Sequence, residues 1–343
     1  MKTACLSHAH IAPCSRFVAV IAAALLMVLP AGPARAQSPA DGATTPSPGW
    51  QKFDWGELGV LQLQAAPFPD DSRTTGYSRR GKEYPREGHY DDGSVAFCVP
   101  ANYRKDDTVD VVVTLHGHVS TCERFATQSH AGEWLSRSCR NAIFMVPQGP
   151  KMVPDSGAGK LEKPGGFAAM MDEALEALRA SGRVAPGARL GNVVLCGFSG
   201  GGRGVGLILR NGDLADHVSE VWLFDAAYEQ LDGLTKLAAQ PAVKASLRSI
   251  FTEHLTDDNL EMMHLITQGQ GPVAVFNDPT TTETLAKASL AATGLPADHA
   301  LLKATLRRRP VLFIHTQLPH DLKALSDRYM LAFLEEARSL SSR

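Results

Sequence analysis

Short runs of apolar residues alternate along the chain with longer segments in which apolar residues recur at helical spacing. This alternation is typical of an α/β fold with a mostly parallel sheet that helices cover on both faces. Helices are predicted over 167–178, before Gly182, and over 229–244, the latter as an insertion beside the functional site. Strands are predicted at the apolar runs 94–100, 109–115, 142–146, 192–196, 218–224, 247–251 and 311–314.

The first 36 residues have the pattern of a secretory signal peptide. Positive charge precedes an apolar run over 17–29, and Ala34-Arg35-Ala36 offers a cleavage site. The run has 13 residues, whereas a membrane span needs about 20. We therefore expect export to the periplasm or the extracellular space, with no stable membrane anchor after cleavage. Residues 37–50, rich in Ser, Pro, Ala, Gly and Thr, are predicted to be a flexible linker, and 51–343 a single domain.

The net charge and the cysteines bear on the class of ligand and on the covalent structure. Without the signal peptide the chain carries 31 basic and 36 acidic side chains, a formal net charge of −5. A mildly acidic exported protein without a basic cluster is a poor candidate for binding nucleic acid. Cys122 and Cys139 bracket one loop-helix unit and are predicted to form a disulfide, whereas Cys98 and Cys196 lie in apolar runs and are expected to be buried thiols.

The most informative motif is Gly197-Phe198-Ser199-Gly200-Gly201, which directly follows the apolar run 192–196. A serine between glycines at a strand-to-helix turn is the nucleophile elbow of α/β-hydrolases. The turn is so tight that larger flanking side chains would collide with the strand and the helix. The motif therefore predicts Ser199 as a nucleophile.

A second loop at a strand end supplies candidate donors for an oxyanion hole. The run 109–115 ends in His116-Gly117-His118, and a hydrolase of this type takes one N–H from such a loop and one from the residue after the serine. Gly200 and either Gly117 or His118 are the predicted donors. As metal ligands, His116 and His118 would have an HxH spacing, but the Asp-His continuation of metallohydrolases is missing; we expect no metal and no cofactor.

A general base is expected in a loop after the last strand, because triad residues follow the order serine, acid, histidine in this fold. His320 lies in such a loop, and His315, at the strand end, is its competitor. The acid has several candidates at strand ends, and spacing alone does not choose among them. Asp225 ends the strand after the serine, and the alternatives are Asp257, Asp258 and Asp278.

Five segments carry a resemblance to known proteins: 116–118, 144–150, 155–156 with 159–160, 197–202 and 224–228. Together, from about residue 97 to the end, they resemble a group of exported bacterial α/β-hydrolase-fold proteins. The resemblance implies Asp225 as the acid, because an Asp-Ala-Leu-Tyr-like segment follows the elbow strand in that group. Two positions depart from it: Phe198 stands where histidine is commoner, and Ala227 replaces leucine. The group implies no particular substrate.

These features predict an exported serine hydrolase that cleaves a carboxylic ester, small or polymeric, through an acyl-enzyme on Ser199. An amidase or peptidase with the same triad is the nearest alternative, because the same groups cleave both kinds of bond. A non-catalytic binding protein on a hydrolase scaffold is the second, since a fold does not establish activity. A nucleotide site is disfavoured because the glycine-rich stretch 200–206 has neither GxGxxG spacing nor a Gly-Lys-Ser/Thr ending.

Overall fold

Ten strands form one sheet in the computed structural model, which describes residues 49–238, 245–290 and 299–343. Two further strands, β3 and β4, form a separate hairpin. In chain order the strands are β1 (Trp50–Phe53), β2 (Gly56–Gln62), β3 (Tyr77–Arg79), β4 (Lys82–Tyr84), β5 (Ser94–Pro100), β6 (Thr108–Leu115), β7 (Ala142–Pro147), β8 (Arg189–Phe198), β9 (Val218–Phe224), β10 (Ser246–Phe251), β11 (Ala274–Asp278) and β12 (Val311–Thr316).

The sheet has the order β1-β2-β5-β7-β6-β8-β9-β10-β12-β11. At one edge β1, β2 and β5 pair antiparallel, and β5 also lies antiparallel to β7. From β7 to β11 every pair of neighbours is parallel. The carboxyl ends of these parallel strands share one edge, where ligand sites form in such sheets.

Helices cover both faces of the sheet. On one face α3 to α6 bury large apolar side chains, Met170 and Met171 among them, against alternate strand residues; α1, α2, α8 and α9 cover the other. Methionines 170 and 171 thus fill the core, as the spacing indicates. The helices are α1 (Cys122–Gln128), α2 (Ala131–Arg137), α3 (Gly166–Ala180), α4 (Gly201–Asn211), α5 (Leu231–Ala238), α6 (Thr256–Gln268), α7 (Thr282–Leu290), α8 (His299–Arg308) and α9 (Leu322–Glu335).

A mostly parallel sheet with helices on both faces and a strand-turn-helix elbow at Ser199 is the α/β-hydrolase fold, which confirms the predicted class. All seven predicted strands are present, within three residues at each end, and the predicted helix 167–178 lies within α3. Strands β1 to β4 and β11 were not among the seven predicted strands. No helix among the described residues is long and apolar enough to span a membrane.

Several sequence predictions fall largely outside the described residues. The signal peptide 1–36 does so entirely, and of the linker only Gly49 and Trp50 are described; Trp50 already begins β1. The predicted insertion 229–244 contains α5, and 239–244 lie outside the described residues. The signal peptide, the linker and export stay predictions.

The predicted disulfide between Cys122 and Cys139 is wrong for this structure, in which both thiols are free. Cys122 begins α1 beside Gln148, just past the carboxyl end of β7, whereas Cys139 precedes the amino end of the same strand. Six residues of strand span about 20 Å, and a disulfide needs Cα atoms within about 7 Å. Cys98 and Cys196 are buried free thiols, as predicted.

Candidate active site

Ser199 lies on a sharp turn between β8 and α4, in the left-handed backbone region with φ of 51°. The turn is tight on every side. A Cβ at Gly197 would lie 2.9 Å from the backbone of Gly202, and a Cβ at Gly202 would overlap the carbonyl oxygen of Ala226. Only glycine fits these positions, which explains the glycine pattern around the serine.

The structure brings the three predicted triad residues into one hydrogen-bonded chain. His320 Nε2 lies 2.9 Å from Ser199 Oγ, and His320 Nδ1 lies 2.6 Å from Asp225 Oδ2. The sheet explains why they meet. Phe198 and Phe224 pair across β8 and β9, so the residues that follow each of them leave the sheet side by side. His320 reaches them from the loop after β12.

The carboxylate of Asp225 is fully buried and accepts three hydrogen bonds. Thr252, which directly follows β10, donates its N–H to Oδ1 at 2.8 Å and its hydroxyl to Oδ2 at 2.7 Å. The third bond comes from His320 Nδ1–H, because an ionised carboxylate only accepts. Nε2 of His320 is then the acceptor for the Ser199 hydroxyl. The chain therefore holds the imidazole in the tautomer that can remove the serine proton.

The other candidate acids lie elsewhere. Asp257 and Asp258 are in the first turn of α6, and Asp278 forms a fully buried ion pair of 2.8 Å with Arg328. The competing base His315 packs its ring against Phe251, with centroids 5.3 Å apart. Among these candidates the structure brings only Asp225 and His320 to the serine.

The loop 116–118 lies against the elbow, as predicted. A Cβ at Gly117 would lie 2.8 Å from Ser199 Cβ, so the backbone comes as close to the nucleophile as a residue can. His116 is buried and fixes this loop: its Nδ1 donates to the Gly117 carbonyl at 2.8 Å, and its Nε2 accepts from Gly149 N at 2.9 Å. Burial lowers the pKa of His116, which keeps the imidazole neutral.

The predicted donor Gly200 is the N-cap of α4, whose first N–H groups have no acceptor within the helix. The His118 ring lies directly over it, and a Cβ at Gly200 would be 2.8 Å from that ring. His118 Nε2 and Ser156 Oγ are 2.8 Å apart. Burial, and then the charge of Arg79, lowers the pKa of His118. Residues 117, 118 and 200 thus lie beside Ser199.

Phe198 contributes to the site in a way the sequence did not indicate. Its ring stacks on the His320 imidazole, with centroids 5.3 Å apart and planes 18° from parallel. Phe125 of α1 packs against the same phenyl ring at 6.1 Å. The residue that stands where histidine is commoner therefore supports the base.

His254 and Tyr228 also lie beside the triad, and sequence reasoning assigned neither a role. Tyr228 Oη and His254 Nε2 are 2.9 Å apart, and His254 Nδ1 lies 2.6 Å from Thr252 Oγ1. Because Thr252 gives its only hydroxyl hydrogen to Asp225, His254 Nδ1 is the donor and Nε2 accepts from the phenol. Burial raises the pKa of Tyr228, and the nearby Ser199 hydroxyl works in the opposite direction. In the sequence, the position of Thr252 immediately after a strand is the one feature that could have indicated this part of the site.

Asp225, His254 and His320 could also hold a metal ion, since each offers one ligand atom and these atoms lie within 4.8 Å of one another. Two ligands of one tetrahedral zinc ion lie about 3.3 Å apart, from bonds of about 2.0–2.1 Å. His320 Nδ1 and Asp225 Oδ2 are only 2.6 Å apart. This spacing fits a hydrogen bond better than a shared metal ion.

A cleft of about 580 Å³ opens at Ser199 and Gly200. Its wall is fixed by Asp155, whose carboxylate accepts two hydrogen bonds from Arg73, at 2.8 and 3.1 Å, and one from Tyr90 at 2.9 Å. Burial works to raise the pKa of Asp155, but the bonds and charge of Arg73 outweigh it and hold the pKa below its ordinary value. The cleft is therefore rigid and polar on this side.

No protein-family model matches the sequence, and neither does any curated protein. Among solved structures, a ferulic acid esterase is similar with a TM-score of 0.46 at 13% identity, covering 71% of this chain and 92% of that one. A fluorophosphonate-binding serine hydrolase, FphF of Staphylococcus aureus, gives 0.43 at 11% identity over 72% and 93%. An S-formylglutathione hydrolase from Agrobacterium tumefaciens gives 0.43 at 10% identity over 85% and 98%. Likenesses this distant do not bear on the reaction, which has to be argued from the site.

Proposed function

We propose that the protein is a serine hydrolase that cleaves carboxylic esters. The observation that carries the proposal is the chain from Ser199 Oγ to His320 Nε2 at 2.9 Å and from His320 Nδ1 to Asp225 Oδ2 at 2.6 Å. A nucleophile, a base and a group that orients the base are the minimum for acyl transfer. Here all three are in contact, and Ser199 lines an open cleft.

In the first half of the reaction, Ser199 Oγ attacks the ester carbonyl carbon while its proton passes to His320 Nε2. The buried carboxylate of Asp225 stabilises the resulting imidazolium. The negative oxygen of the tetrahedral intermediate accepts hydrogen bonds from Gly200 N–H and from the N–H of Gly117 or His118, at the positive end of α4. When the intermediate collapses, the C–O bond breaks and His320 returns the proton to the leaving alcohol.

In the second half, water takes the place of the alcohol. His320 removes a proton from the water, whose oxygen attacks the acyl-enzyme carbonyl. The second tetrahedral intermediate uses the same N–H donors. Its collapse releases the carboxylic acid and returns the proton to Ser199 Oγ, so that the triad is restored.

Two measurements test this proposal. A fluorophosphonate probe should label the folded protein, and a panel of 4-nitrophenyl esters of short and long acids should be hydrolysed. Ser199→Ala should abolish both, because alanine fits the elbow but carries no nucleophile. Residual turnover within about tenfold of the wild type would contradict the assignment, since loss of a triad member costs orders of magnitude. Matching anilides in the same panel separate an esterase from an amidase.

Export is part of the proposal and rests on the sequence pattern of the first 36 residues. The protein is expected in the periplasm or the medium, cleaved before Gln37. N-terminal sequencing of the protein recovered from the periplasm or from the culture medium tests this. An intact N-terminus on cytoplasmic protein would contradict it.

A further inference from the structure

The cleft beside Ser199 contains more charge than acyl transfer requires. Its lining includes three arginines, Arg73, Arg79 and Arg203, and two carboxylates, Asp155 and Glu229. These charges are not evenly paired, and the unpaired one belongs to a residue that lines the same cleft as Ser199 and Gly200.

Two of the arginines are neutralised within the protein. Arg73 forms the two-bonded ion pair with Asp155 described above. Arg203 binds Glu162, with the closest atoms 2.6 Å apart, and its Nε lies 3.5 Å from Glu229. Their guanidinium groups therefore shape the wall of the cleft, and their charge is already offset.

Arg79 differs from both. Its guanidinium Nη1 donates to the backbone carbonyl of Pro154 at 2.8 Å, and within the described part of the chain no carboxylate pairs with it. The carbonyl of Pro154 takes one of the five N–H donors of the group. The remaining donors and the full positive charge are available at the rim of the cleft.

The position of Arg79 relates it to the reaction. Its charge acts on His118, whose ring lies over Gly200, the residue next to the nucleophile. The carboxylate of Glu229 lines the same cleft, and Arg203 lies 3.5 Å from it. The positive charge of the cleft lining that no carboxylate offsets therefore belongs to Arg79.

We propose that Arg79 forms an anion subsite and that the substrates of this protein are esters that carry a carboxylate. A guanidinium with free donors binds a carboxylate through two parallel hydrogen bonds, which fixes the orientation of the substrate as well as its charge. This inference rests on the proposed function and specifies its substrate class.

The test uses two pairs of esters, because the carboxylate could lie on either side of the scissile bond. The acyl pair is 4-nitrophenyl hydrogen adipate and 4-nitrophenyl methyl adipate. The alcohol pair is 3-carboxyphenyl butyrate and its methyl ester, 3-(methoxycarbonyl)phenyl butyrate. For each pair the quantity measured is the ratio of kcat/KM for the anionic member to kcat/KM for the neutral member. A loss of folded enzyme lowers both members equally and cancels in this ratio.

In at least one pair the wild type should favour the anionic ester by about tenfold, through a lower KM, and added salt should reduce this preference. Arg79→Gln should remove the preference, and Arg79→Lys should restore part of it. Arg80→Gln is the matched control, because Arg80 is an exposed neighbour outside the cleft lining and its loss should leave both ratios unchanged.

The outcomes are distinguishable. Hydrolysis of the neutral esters without an anionic preference overturns the subsite and leaves the hydrolase intact. An unchanged ratio in Arg79→Gln, or an equal drop in Arg80→Gln, overturns it as well, since long-range charge would then explain the preference. If none of the four esters is hydrolysed, the proposed function itself fails.

Discussion

Replacement of Asp225 by asparagine tests the acid directly, because the structure determines which way the new amide points. Thr252 N–H needs an acceptor, so the amide oxygen must take the place of Oδ1. The NH₂ group then takes the place of Oδ2 and faces His320 Nδ1. Two donors cannot share this contact, so the proton of His320 moves to Nε2. In that tautomer the imidazole cannot accept the proton of Ser199.

The expected magnitude separates this mechanism from the loss of one hydrogen bond. A hydrogen bond to a charged group contributes about 1.5–3 kcal/mol, which corresponds to a factor of about 10–150 in rate. The wrong tautomer removes the base altogether, and in serine proteases the same substitution lowers kcat about 10⁴-fold, or about 5.5 kcal/mol. We expect Asp225→Asn to lose about three to four orders of magnitude in kcat.

The assay is kcat for a 4-nitrophenyl ester, with circular dichroism and thermal unfolding to verify that the variant folds. Asp257→Asn is the control, since this exposed carboxylate lies in the first turn of α6 and makes no hydrogen bond to the triad. A folded Asp225→Asn variant that loses less than about 100-fold would refute the tautomer argument. If the Asp257 variant loses activity instead, the acid of the triad is Asp257, after the later strand.

Three further predictions have definite expected results. In ester hydrolysis, His320→Ala should lower kcat at least about 1,000-fold, whereas His315→Ala should lower it less than tenfold. The reverse order would identify His315, at the strand end, as the base. Gly202→Ala should lower the free energy of unfolding by about 3 kcal/mol, because the added Cβ overlaps a backbone oxygen. Urea unfolding measures this, and an unchanged urea midpoint would contradict the tight packing. Peptide mapping without reduction should recover Cys122 and Cys139 in separate peptides, and a linked peptide would show that the loop-helix unit folds differently.

The parts of the site that sequence predicts are those encoded by local pattern. The run of β8, the glycines of the elbow and the start of α4 are contiguous, so Ser199 could be identified from one stretch of sequence. Asp225 and His320 could be proposed because strand ends gather at one edge of a parallel sheet.

Other contacts depend on strand register and side-chain packing, which no local pattern encodes. Thr252 meets Asp225 because the N–H of Asp225 bonds to Ile250, two residues before the threonine. Phe198 contacts His320 from the far side of the turn that carries the serine. The disulfide prediction failed for a related reason. The 16 residues between Cys122 and Cys139 carry the chain back along the whole length of β7, so closeness in sequence gave no closeness in space.

The close contact of Gly202 with the carbonyl of Ala226 bears on how the proposed hydrolase activity would be lost on heating. It packs the turn that carries Ser199 directly against the backbone of the residue that follows Asp225. His320 belongs to a different loop and meets them through side chains alone, and its own side chain is about one-third exposed. The base is therefore the member that departs first. Thermal inactivation of ester hydrolysis should therefore precede global unfolding.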